Sequence, residues 1–318
     1  MSQLFAQISD PHLSTPQGAS RLDLCNKRAL GYLSWHRKRR FEHRREVLQA
    51  LQQDLEQFDL DQLLVTGDLT HVGLPQEFQQ AQAWLRQLGE PGHIALVPGN
   101  HDACVAADWD QTFALWQQYM ASDEAAVGTA GADGLFPSLR VRGDIAFIGI
   151  STACPKPPLM ATGTVGAAQM QRLPALLQAA ARQNLFRVVH LHHCPLPGVE
   201  KWRKRLTDAP QLQEMLVEHG AELIVHGHGH RAHYKELTTR QGMAPVIAVP
   251  SASALGLHGA DPAQYNCYRV TRTDGGWHLE VLVRGYQPAT GNFAAGGELS
   301  LDLQRGGSPQ SSGVQPDN

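Results

Sequence analysis

Seven short apolar segments, several of them separated by amphipathic helical patterns, constrain this chain to a layered α/β fold. The segments have the length and composition of buried strands and read LFAQIS, QLLVTGD, HIALVPGN, IAFIGIST, FRVVHLHH, ELIVHGH and PVIAVPS. Between several of them apolar residues recur at helical spacing, as Leu48, Leu51 and Leu55 do. Strands that alternate with helices predict an α/β domain whose functional loops lie at the ends of the strands.

The pattern changes after residue 230, where the helical periodicity fades. The segments QYNCYRVTR and GWHLEVLVRGY surround the turn sequence TDGG and predict an antiparallel pair of strands. Residues 305–318 are polar and rich in glycine, serine and proline, which predicts a disordered tail. We therefore expect a single domain over residues 1–304, with an insertion at about 24–46 and a C-terminal β extension at about 231–304.

Charge and cysteine usage limit the classes of partner. The formal net charge of −3 argues against a general nucleic-acid binder, so we expect no specific nucleic-acid partner. The sequence shows no secretory leader pattern and no run of roughly 18 apolar residues. The cysteines are widely spaced and form no CxxC pattern, which is typical of reduced, packed thiols in a cytoplasmic protein; they are Cys25, Cys104, Cys154, Cys194 and Cys267. The oligomeric state is left open.

Five of the strand-like segments end in residues that bind metals. These residues are Asp10 and His12, then Asp68, then Asn100, His101 and Asp102, then His190, His192 and His193, and finally His226, His228 and His230. Because the ends of strands in one sheet meet at the same edge, we expect these side chains to share a metal centre. Carboxylate, imidazole and amide donors suit Mn, Fe or Zn. Two ions about 3.5–4 Å apart need a bridging carboxylate, and Asp68 is the natural candidate.

The ordered motifs DPH, GD, GNHD, HHCP and GHGH resemble those of the calcineurin-like metallophosphoesterases, over residues 4 to about 235. The resemblance implies an α/β, four-layer sandwich of two mixed β-sheets flanked by helices. It also implies a dinuclear centre with two divalent metal ions, Mn and/or Fe, with Zn as an alternative. One ion would be bound by Asp10, His12, Asp68 and His230, and the other by Asp68, Asn100, His192 and His228. His101 would contact the substrate.

The chemistry that follows is hydrolysis of a phosphoester. Two divalent ions lower the pKa of a shared water towards neutrality, and the resulting hydroxide would attack the phosphorus in line. His101 is the candidate general acid or stabiliser of the developing charge, and Asp102 either orients His101 or anchors its loop. Of the remaining histidines, we interpret His190 and His226 as packing or supporting groups, and His193 as structural.

The segment CNKRALGYLSWHRKRRFEHRREVL places six Lys or Arg residues within nine positions, with aromatic residues among them. A run of charges is normally a solvated helix face, but this combination also describes a membrane-surface helix or a binding site for an anionic substrate. A second basic patch, KWRKRL, follows at residues 201–206. The candidate contacts with substrate or membrane are Trp35, Arg37, Lys38, Arg39 and Arg40.

Three functions remain open. The form with GNHD and HHCP resembles cyclic-nucleotide phosphodiesterase-like members, which implies a phosphodiesterase acting on a small phosphoester. A second branch cleaves the pyrophosphate of UDP-diacylglucosamine, and the basic aromatic insertion suits that lipid-linked substrate and peripheral contact with the anionic inner face of a membrane. That branch commonly carries an arginine at the position of His101. The third function is a non-catalytic metal-binding scaffold, which would not require the complete donor set.

Overall fold

Two β-sheets pack face to face between helices in the computed structural model, which describes residues 2–123 and 134–304. The tail that the sequence predicts at 305–318 lies outside the described residues. The strands are β1 (Ser2–Ile8), β2 (Gln62–Val65), β3 (Ile94–Leu96), β4 (Ser138–Arg142), β5 (Ile145–Ile150), β6 (Phe186–Leu191), β7 (Leu223–His226), β8 (His233–Thr239), β9 (Gly242–Ala248), β10 (Gln264–Thr273), β11 (Gly276–Gln287) and β12 (Asn292–Gln304).

The helices lie mostly between the strands, as the apolar spacing predicts. They are α1 (Arg28–Ser34), α2 (Arg40–Glu42), α3 (Arg45–Leu55), α4 (Pro75–Leu88), α5 (Gln117–Met120), α6 (Ala167–Arg182) and α7 (Ala209–His219). A π-helical turn, Trp35–Arg39, joins α1 to α2, and short 3₁₀ turns occupy Pro91–His93, Phe113–Trp116 and Leu257–Gly259. Within the described ranges, no helix is both long and apolar enough to span a membrane.

Each sheet combines parallel and antiparallel pairs. The strand order is β12-β11-β10-β1-β2-β3 in the first sheet and β4-β5-β6-β7-β9-β8 in the second. In the first sheet β1, β2 and β3 run parallel, and β10 is antiparallel to β1. In the second sheet β5, β6, β7 and β9 run parallel, with antiparallel strands at both edges. The β10–β11 pair is the hairpin that the sequence predicts around TDGG.

Apolar side chains form a core in three layers. Between the sheets, Phe5 of the first sheet packs edge-on against Phe147 of the second, with ring centroids 5.0 Å apart. On the outer face of the first sheet, buried residues of α3 and α4 pack against β1 and β2. On the outer face of the second sheet, α6 and α7 pack against β5 and β6. This order of helix, sheet, sheet and helix confirms the predicted four-layer sandwich.

The structure corrects one premise about the strand ends. From the sequence we expect the candidate metal ligands at the edge of one sheet. The strands that precede them are divided, because β1, β2 and β3 belong to the first sheet and β6 and β7 to the second. The carboxyl ends of both parallel sets meet at the same edge of the sandwich, where the Nδ1 of His192 lies 2.7 Å from the carbonyl oxygen of Thr66. The predicted convergence therefore arises from the packing of two sheets.

Three edge strands, β4, β8 and β12, were not predicted from the sequence. In β12 most side chains are exposed, and β8 exposes four of its seven residues. In β4 two of the five residues are arginines, Arg140 and Arg142. An edge strand has no neighbouring strand along one edge, so polar residues are tolerated there. Hydrophobic periodicity is therefore weak in edge strands.

Candidate metal centre

The seven side chains that the sequence predicts as metal ligands come together at this edge of the sandwich. Asp10 and His12 follow β1, Asp68 follows β2, Asn100 follows β3, His192 follows β6, and His228 and His230 follow β7. Six of the seven are buried, and only His230 is partly exposed. All seven therefore lie where one group of ligands can form.

Asp68 lies between histidines from the two sheets. Its Oδ2 is 3.3 Å from the Nε2 of His192 and 4.0 Å from the Nε2 of His12. Ligand atoms of Asp10, His12 and Asp68 all lie within 4.8 Å of one another. Asp68 is therefore the carboxylate that reaches both halves of the site.

The other donors are divided between two sides of Asp68. On one side the Nε2 of His230 is 3.1 Å from the Oδ1 of Asp10 and 3.4 Å from the Nε2 of His12. On the other side the Nε2 of His192 is 3.2 Å from the Oδ1 of Asn100. This division matches the two overlapping ligand sets that the resemblance implies.

The backbone is in the left-handed region at five of these residues. The φ angles are 51° at Asp10, 39° at His12, 58° at Asp68, 67° at His228 and 54° at His230. This conformation costs a non-glycine residue roughly 1–2 kcal/mol. Only two other non-glycine residues in the described part of the chain, Leu159 and Asn184, have a positive φ. Strain concentrated at one site indicates that the rest of the fold holds these side chains in place for a function.

Backbone carbonyl groups fix which ring nitrogen each histidine presents. The Nδ1 atoms of His12 and His192 lie 3.0 and 2.7 Å from carbonyl oxygens, and the Nε2 of His228 lies 2.9 Å from the carbonyl oxygen of Lys204. A carbonyl oxygen only accepts hydrogen bonds, so each of these nitrogens carries the proton. His12 and His192 therefore present Nε2, and His228 presents Nδ1, as metal ligands are oriented in proteins.

The buried carboxylates draw positive charge into the site. Burial raises the pKa of Asp68, but the charge of His192 and its hydrogen bond to Asp68 outweigh this effect and hold that pKa well below its usual range. Burial lowers the pKa of His192, but the Asp68 carboxylate outweighs it and raises that pKa to about 9. A divalent cation would neutralise these buried carboxylates with two positive charges, whereas an imidazolium supplies one.

Two further observations show that the donor set fits divalent cations. The Oδ1 of Asp10 is buried and makes no well-aligned hydrogen bond, although the Nε2 of His230 lies 3.1 Å from it, so a cation between the two atoms would satisfy both. The Nε2 of His192 faces oxygens of both Asp68 and Asn100, at 3.3 and 3.2 Å. A lone pair facing two oxygens requires a proton or a cation between them. Oxygen and imidazole donors together suit Mn, Fe or Zn.

Two glycines allow the chain segments to approach one another. A Cβ on Gly99 would lie 2.2 Å from the Oδ1 of Asp68, and a Cβ on Gly227 would lie 1.7 Å from the Oγ of Ser9. Neither separation is possible between non-bonded atoms, so a side chain at either position would displace the carboxylates. The glycine of GNHD and the first glycine of HGHGH are therefore required for the close packing of the centre.

His101 lies above the candidate metal ligands and contacts the run CNKRALGYLSWHRKRRFEHRREVL, residues 25–48, which we call the basic segment. Its Nδ1 donates a hydrogen bond to the carbonyl oxygen of His71 at 2.6 Å, and the Nη1 of Arg39 lies 3.0 Å from the same nitrogen. Since that nitrogen carries the proton, Arg39 acts on the ring through its charge. Burial, followed by the charge of Arg39, lowers the pKa of His101 to about 3. His101 is therefore neutral at physiological pH, with Nε2 unprotonated.

Asp102 anchors the loops and does not orient His101. Its carboxylate accepts hydrogen bonds from the backbone N–H groups of Asp68, Thr70 and Gly99, at 3.0, 2.9 and 2.9 Å, and from the Thr70 hydroxyl at 3.0 Å. The ring of His101 is held instead by the His71 carbonyl. Of the two roles left open by the sequence, anchoring is the one that these contacts support, because they join the loop after β2 to the loop after β3.

A cleft of about 700 Å³ opens over the metal-binding residues. Cationic side chains line it, from the basic segment and from the second basic patch; they are Arg37, Lys38, Arg39 and Lys204. The apolar side chains of Phe41 and Leu257 lie in the same cleft. The site therefore combines candidate metal-binding donors, positive charge and an extensive apolar surface.

The structure changes the role expected for two residues of the basic segment. Trp35 is 8% exposed, and its ring centroid lies 6.4 Å from that of His71, so it packs inside the protein and does not contact a membrane. Arg40 is exposed and lies over the ring of Phe41 at 4.6 Å, and it is not among the residues lining the cleft. Successive side chains point in different directions around the helical turn. Arg39 therefore lines the cleft, whereas Trp35 and Arg40 do not.

The basic segment is bound to the rest of the fold at several points. The guanidinium of Arg28 donates to the carbonyl oxygens of Val72 and Gly73 at 3.1 and 2.6 Å. The carboxylate of Glu42 accepts a hydrogen bond from the N–H of Gly256 at 2.8 Å. These contacts hold the segment across the strand ends, while His36, Arg37, Lys38 and Arg40 are exposed, so a solvated helix face describes part of it.

His43 is the site residue that the sequence analysis missed. Its Nδ1 lies 2.9 Å from the Oγ of Ser253, and ring nitrogens of His12, His43 and His230 lie within 4.8 Å of one another. The residue stands alone within the run FEHRRE, away from every strand-end motif. No periodicity or spacing identifies it, because it reaches the site through the contacts of the basic segment.

Three further histidines of the strand-end motifs, His190, His193 and His226, are not among the seven candidate ligands around Asp68, which we call the Asp68 group. Both ring nitrogens of His193 are hydrogen-bonded, to the Oγ1 of Thr152 at 2.7 Å and to the carbonyl oxygen of Ala161 at 3.1 Å, in keeping with a structural role. His190 is buried, and burial lowers its pKa to about 3, so it packs as a neutral ring. His226 is also buried, and its surroundings are described below.

Comparison with known proteins identifies a family for this chain. The model of the family described as calcineurin-like phosphoesterase matches residues 4–232. No curated protein sequence matches the chain significantly. A dimetal phosphatase from Danio rerio is 12% identical with a TM-score of 0.54, and the match covers 92% of this chain and 98% of that chain. A single mutant of Vps29 from Entamoeba histolytica, also 12% identical, has a TM-score of 0.42 over 94% of this chain and 100% of that chain.

Proposed function

The chain belongs to the calcineurin-like phosphoesterase family of metal-dependent hydrolases, and from this premise we propose that it is a phosphodiesterase. The observation that carries the proposal is the position of the shared carboxylate, Asp68, beneath a cleft lined by cationic side chains. Bound divalent ions would polarise the phosphoryl oxygens and activate water as the nucleophile. We further propose Mn or Fe as the native metals, with Zn as an alternative, and a cytoplasmic location.

The size and charge of the cleft favour a diester. A volume of about 700 Å³ accommodates organic groups on both sides of a phosphorus atom. Arg39 remains protonated at physiological pH because guanidinium groups do not lose their proton in proteins, so it would bind a non-bridging phosphate oxygen. Arg37, Lys38 and Lys204 would attract the anionic substrate from further out.

His101 is assigned to the leaving-group side of the reaction. Its Nδ1 is occupied by the His71 carbonyl, so Nε2 is the nitrogen that can approach the substrate. In the free protein Nε2 carries no proton, since burial and the charge of Arg39 disfavour the charged ring, so His101 can protonate a leaving group only after Nε2 takes up a proton in the substrate complex. The assignment therefore predicts that His101→Ala retains its metal content and loses turnover, whereas full activity in this variant would contradict it.

The experiment that tests the phosphodiesterase proposal is a substrate panel with Mn-reconstituted protein. The panel would contain bis(4-nitrophenyl) phosphate, 4-nitrophenyl phosphate and cyclic nucleotides, with Asp68→Ala as the blank. We expect hydrolysis of the diesters that is absent in the blank. Hydrolysis of the monoester alone would contradict a diesterase, and activity that persists in the blank would come from a contaminant.

A second candidate is hydrolysis of a lipid-linked pyrophosphate at a membrane surface. It is favoured by exposed apolar residues near the cleft, because Phe41 and Leu257 are 48% and 37% exposed and Leu33 of α1 is 44% exposed. Peripheral binding would combine these residues with the basic side chains. Co-sedimentation with anionic vesicles tests it, using Arg37→Glu combined with Lys38→Glu, and Arg182→Glu as a control on a distant helix. Equal binding of the wild-type chain, the Arg37/Lys38 double variant and the Arg182→Glu control would exclude this candidate.

A non-catalytic scaffold is the third candidate. A scaffold gains nothing from five strained ligand residues or from a complete donor set, so these features argue against it. Absence of hydrolysis on the whole panel, in protein shown to contain two bound metal ions, would favour the scaffold over both enzymatic proposals.

A further inference from the structure

A second group of metal-binding side chains lies beside the dinuclear donor set and shares no residue with it. The group consists of Cys194, His226 and His233, and one ligand atom from each lies within 4.8 Å of the other two. Cys194 follows β6, His226 is the last residue of β7, and His233 is the first residue of β8. Neighbouring strand ends of the second sheet therefore bring the three side chains together.

The two histidines of this group present unused ring nitrogens to each other. The Nδ1 of His226 lies 3.1 Å from the carbonyl oxygen of Gly227 and so carries the proton, which leaves Nε2 as a bare lone pair. That Nε2 is buried and has no hydrogen-bond partner, and the same holds for both ring nitrogens of His233. The ring centroids are 4.9 Å apart. Three unpaired buried nitrogens at one place are costly for packing alone.

The sulfur of Cys194 completes the arrangement. The residue is buried, and burial raises the pKa of its thiol, so the sulfur would become a thiolate only on binding a metal ion. Zn–S bonds of about 2.3 Å and Zn–N bonds of about 2.0 Å separate ligand atoms by roughly 3.3–3.6 Å. The present separations, within 4.8 Å, reach that geometry through side-chain shifts of about 1 Å.

Glu200 lies near the group but outside the cluster of atoms within 4.8 Å of one another, so its side chain would have to move to become the fourth ligand. Its carboxylate acts electrostatically on both Cys194 and His233, and its Oε1 lies 2.8 Å from the position that a Cβ on Gly229 would occupy. One sulfur, two imidazole nitrogens and one oxygen from a carboxylate or a water form a tetrahedral set for Zn²⁺. The thiolate separates this set from the oxygen-rich donors of the dinuclear centre, which suit harder ions.

We propose that Cys194, His226 and His233 form a third metal site, selective for Zn²⁺, with Glu200 or water as the fourth ligand. The loop between His226 and His233 carries His228 and His230, two of the dinuclear ligands. A zinc ion that joins β6 to both ends of this loop would fix the loop whether or not the dinuclear centre is loaded. The proposal therefore does not depend on the phosphodiesterase assignment.

Cobalt substitution tests the site directly, because thiolate coordination to Co²⁺ produces a charge-transfer absorption in the near ultraviolet. Metal-free protein would be titrated with Co²⁺ alone, and zinc content would be measured separately after reconstitution. We expect the absorption in the wild-type chain and its loss in Cys194→Ser. His233→Ala, at a partly exposed position, should weaken cobalt binding and remove one equivalent of zinc. Cys267→Ser, at another buried thiol, is the matched control and should retain the absorption.

The Asp68→Ala variant separates this site from the dinuclear centre. We expect the cobalt–thiolate absorption to remain in Asp68→Ala, since Cys194 lies outside the Asp68 group. Loss of the absorption in that variant would assign the sulfur to the dinuclear centre and overturn a separate site. No absorption in the wild-type chain, or an absorption that remains in Cys194→Ser, would also overturn the proposal.

Discussion

The guanidinium of Arg39 lies 3.0 Å from the Nδ1 of His101, across 62 positions of sequence. This contact joins the basic segment to the GNHD loop and places a permanent positive charge at the centre of the cleft. Burial and this charge keep His101 neutral in the free protein. An anionic substrate that pairs with Arg39 would reduce the repulsion that disfavours a proton on His101.

Replacing Arg39 should therefore affect catalysis more than replacing its neighbour. In Arg39→Gln we expect kcat/KM to fall about 10–100-fold, which corresponds to the loss of a charge-assisted hydrogen bond of about 1.5–3 kcal/mol. Arg40→Gln is the matched control, since Arg40 is exposed and lies over Phe41. Steady-state kinetics on a diester compares the two variants, and equal losses would remove Arg39 from substrate binding.

Asp102 should control metal binding and stability. Asp102→Ala leaves the N–H groups of Asp68, Thr70 and Gly99 without their acceptor, and we expect a loss of about 3 kcal/mol in the free energy of unfolding together with weaker metal binding. Urea unfolding and metal analysis measure the two effects, with Asp110→Ala at an exposed position as the control. If Asp102→Ala kept its metal and stability and lost only kcat, Asp102 would orient His101 after all.

His43 should support the ion on the Asp10 side of the centre. Because ring nitrogens of His12, His43 and His230 lie within 4.8 Å of one another, His43→Ala should lower the affinity for that ion about 10–100-fold. His36→Ala removes an exposed histidine of the same segment and should leave the affinity unchanged. A calorimetric titration with Mn²⁺ compares the variants. An unchanged affinity in His43→Ala would show that this ring only packs.

The metal-free protein should lose stability as the pH rises through the pKa of His192. This pKa is about 9 in the folded chain, raised by Asp68 against the effect of burial, and about 6.5 in the unfolded chain. The stabilisation is therefore complete below pH 6.5 and is lost between about pH 6.5 and 9, with a magnitude of about 3 kcal/mol. Urea unfolding of chelator-treated protein should show this decline. The variant His192→Gln should show a flatter profile, and the same decline in both proteins would contradict the assignment.

Much of the fold and site followed from local sequence patterns. The helices α3, α4, α6 and α7 follow from apolar spacing, and the seven candidate metal ligands lie at strand ends where hydrophobic pattern and ligand type are visible together. The edge strands β8 and β12 were missed because solvent exposure removes that periodicity, and β4 was missed because the buried Arg140 interrupts its apolar pattern. The division of the strand ends between two sheets also depends on the pairing of β1 with β10, more than 250 positions away, which local patterns do not contain.

The part of the site that escaped prediction, His43, is held by contacts distant in sequence. His43, like the predicted contact Arg39, reaches the cleft because Arg28 and Glu42 fasten the basic segment to Val72 and Gly256. Composition alone placed Trp35 among the surface contacts, since an aromatic ring in a basic run has the same signature whether it is buried or exposed. The direction of each side chain within the helical turn decides which residues of the run are buried and which are exposed.

The most direct test of the central claim is an anomalous difference map from a crystal of Mn-loaded protein. We expect two peaks that share Asp68, one beside Asp10, His12 and His230 and the other beside Asn100, His192 and His228. In Asp68→Ala both peaks should weaken or disappear. A single peak, or two peaks without Asp68 between them, would contradict a dinuclear centre at the ends of these strands.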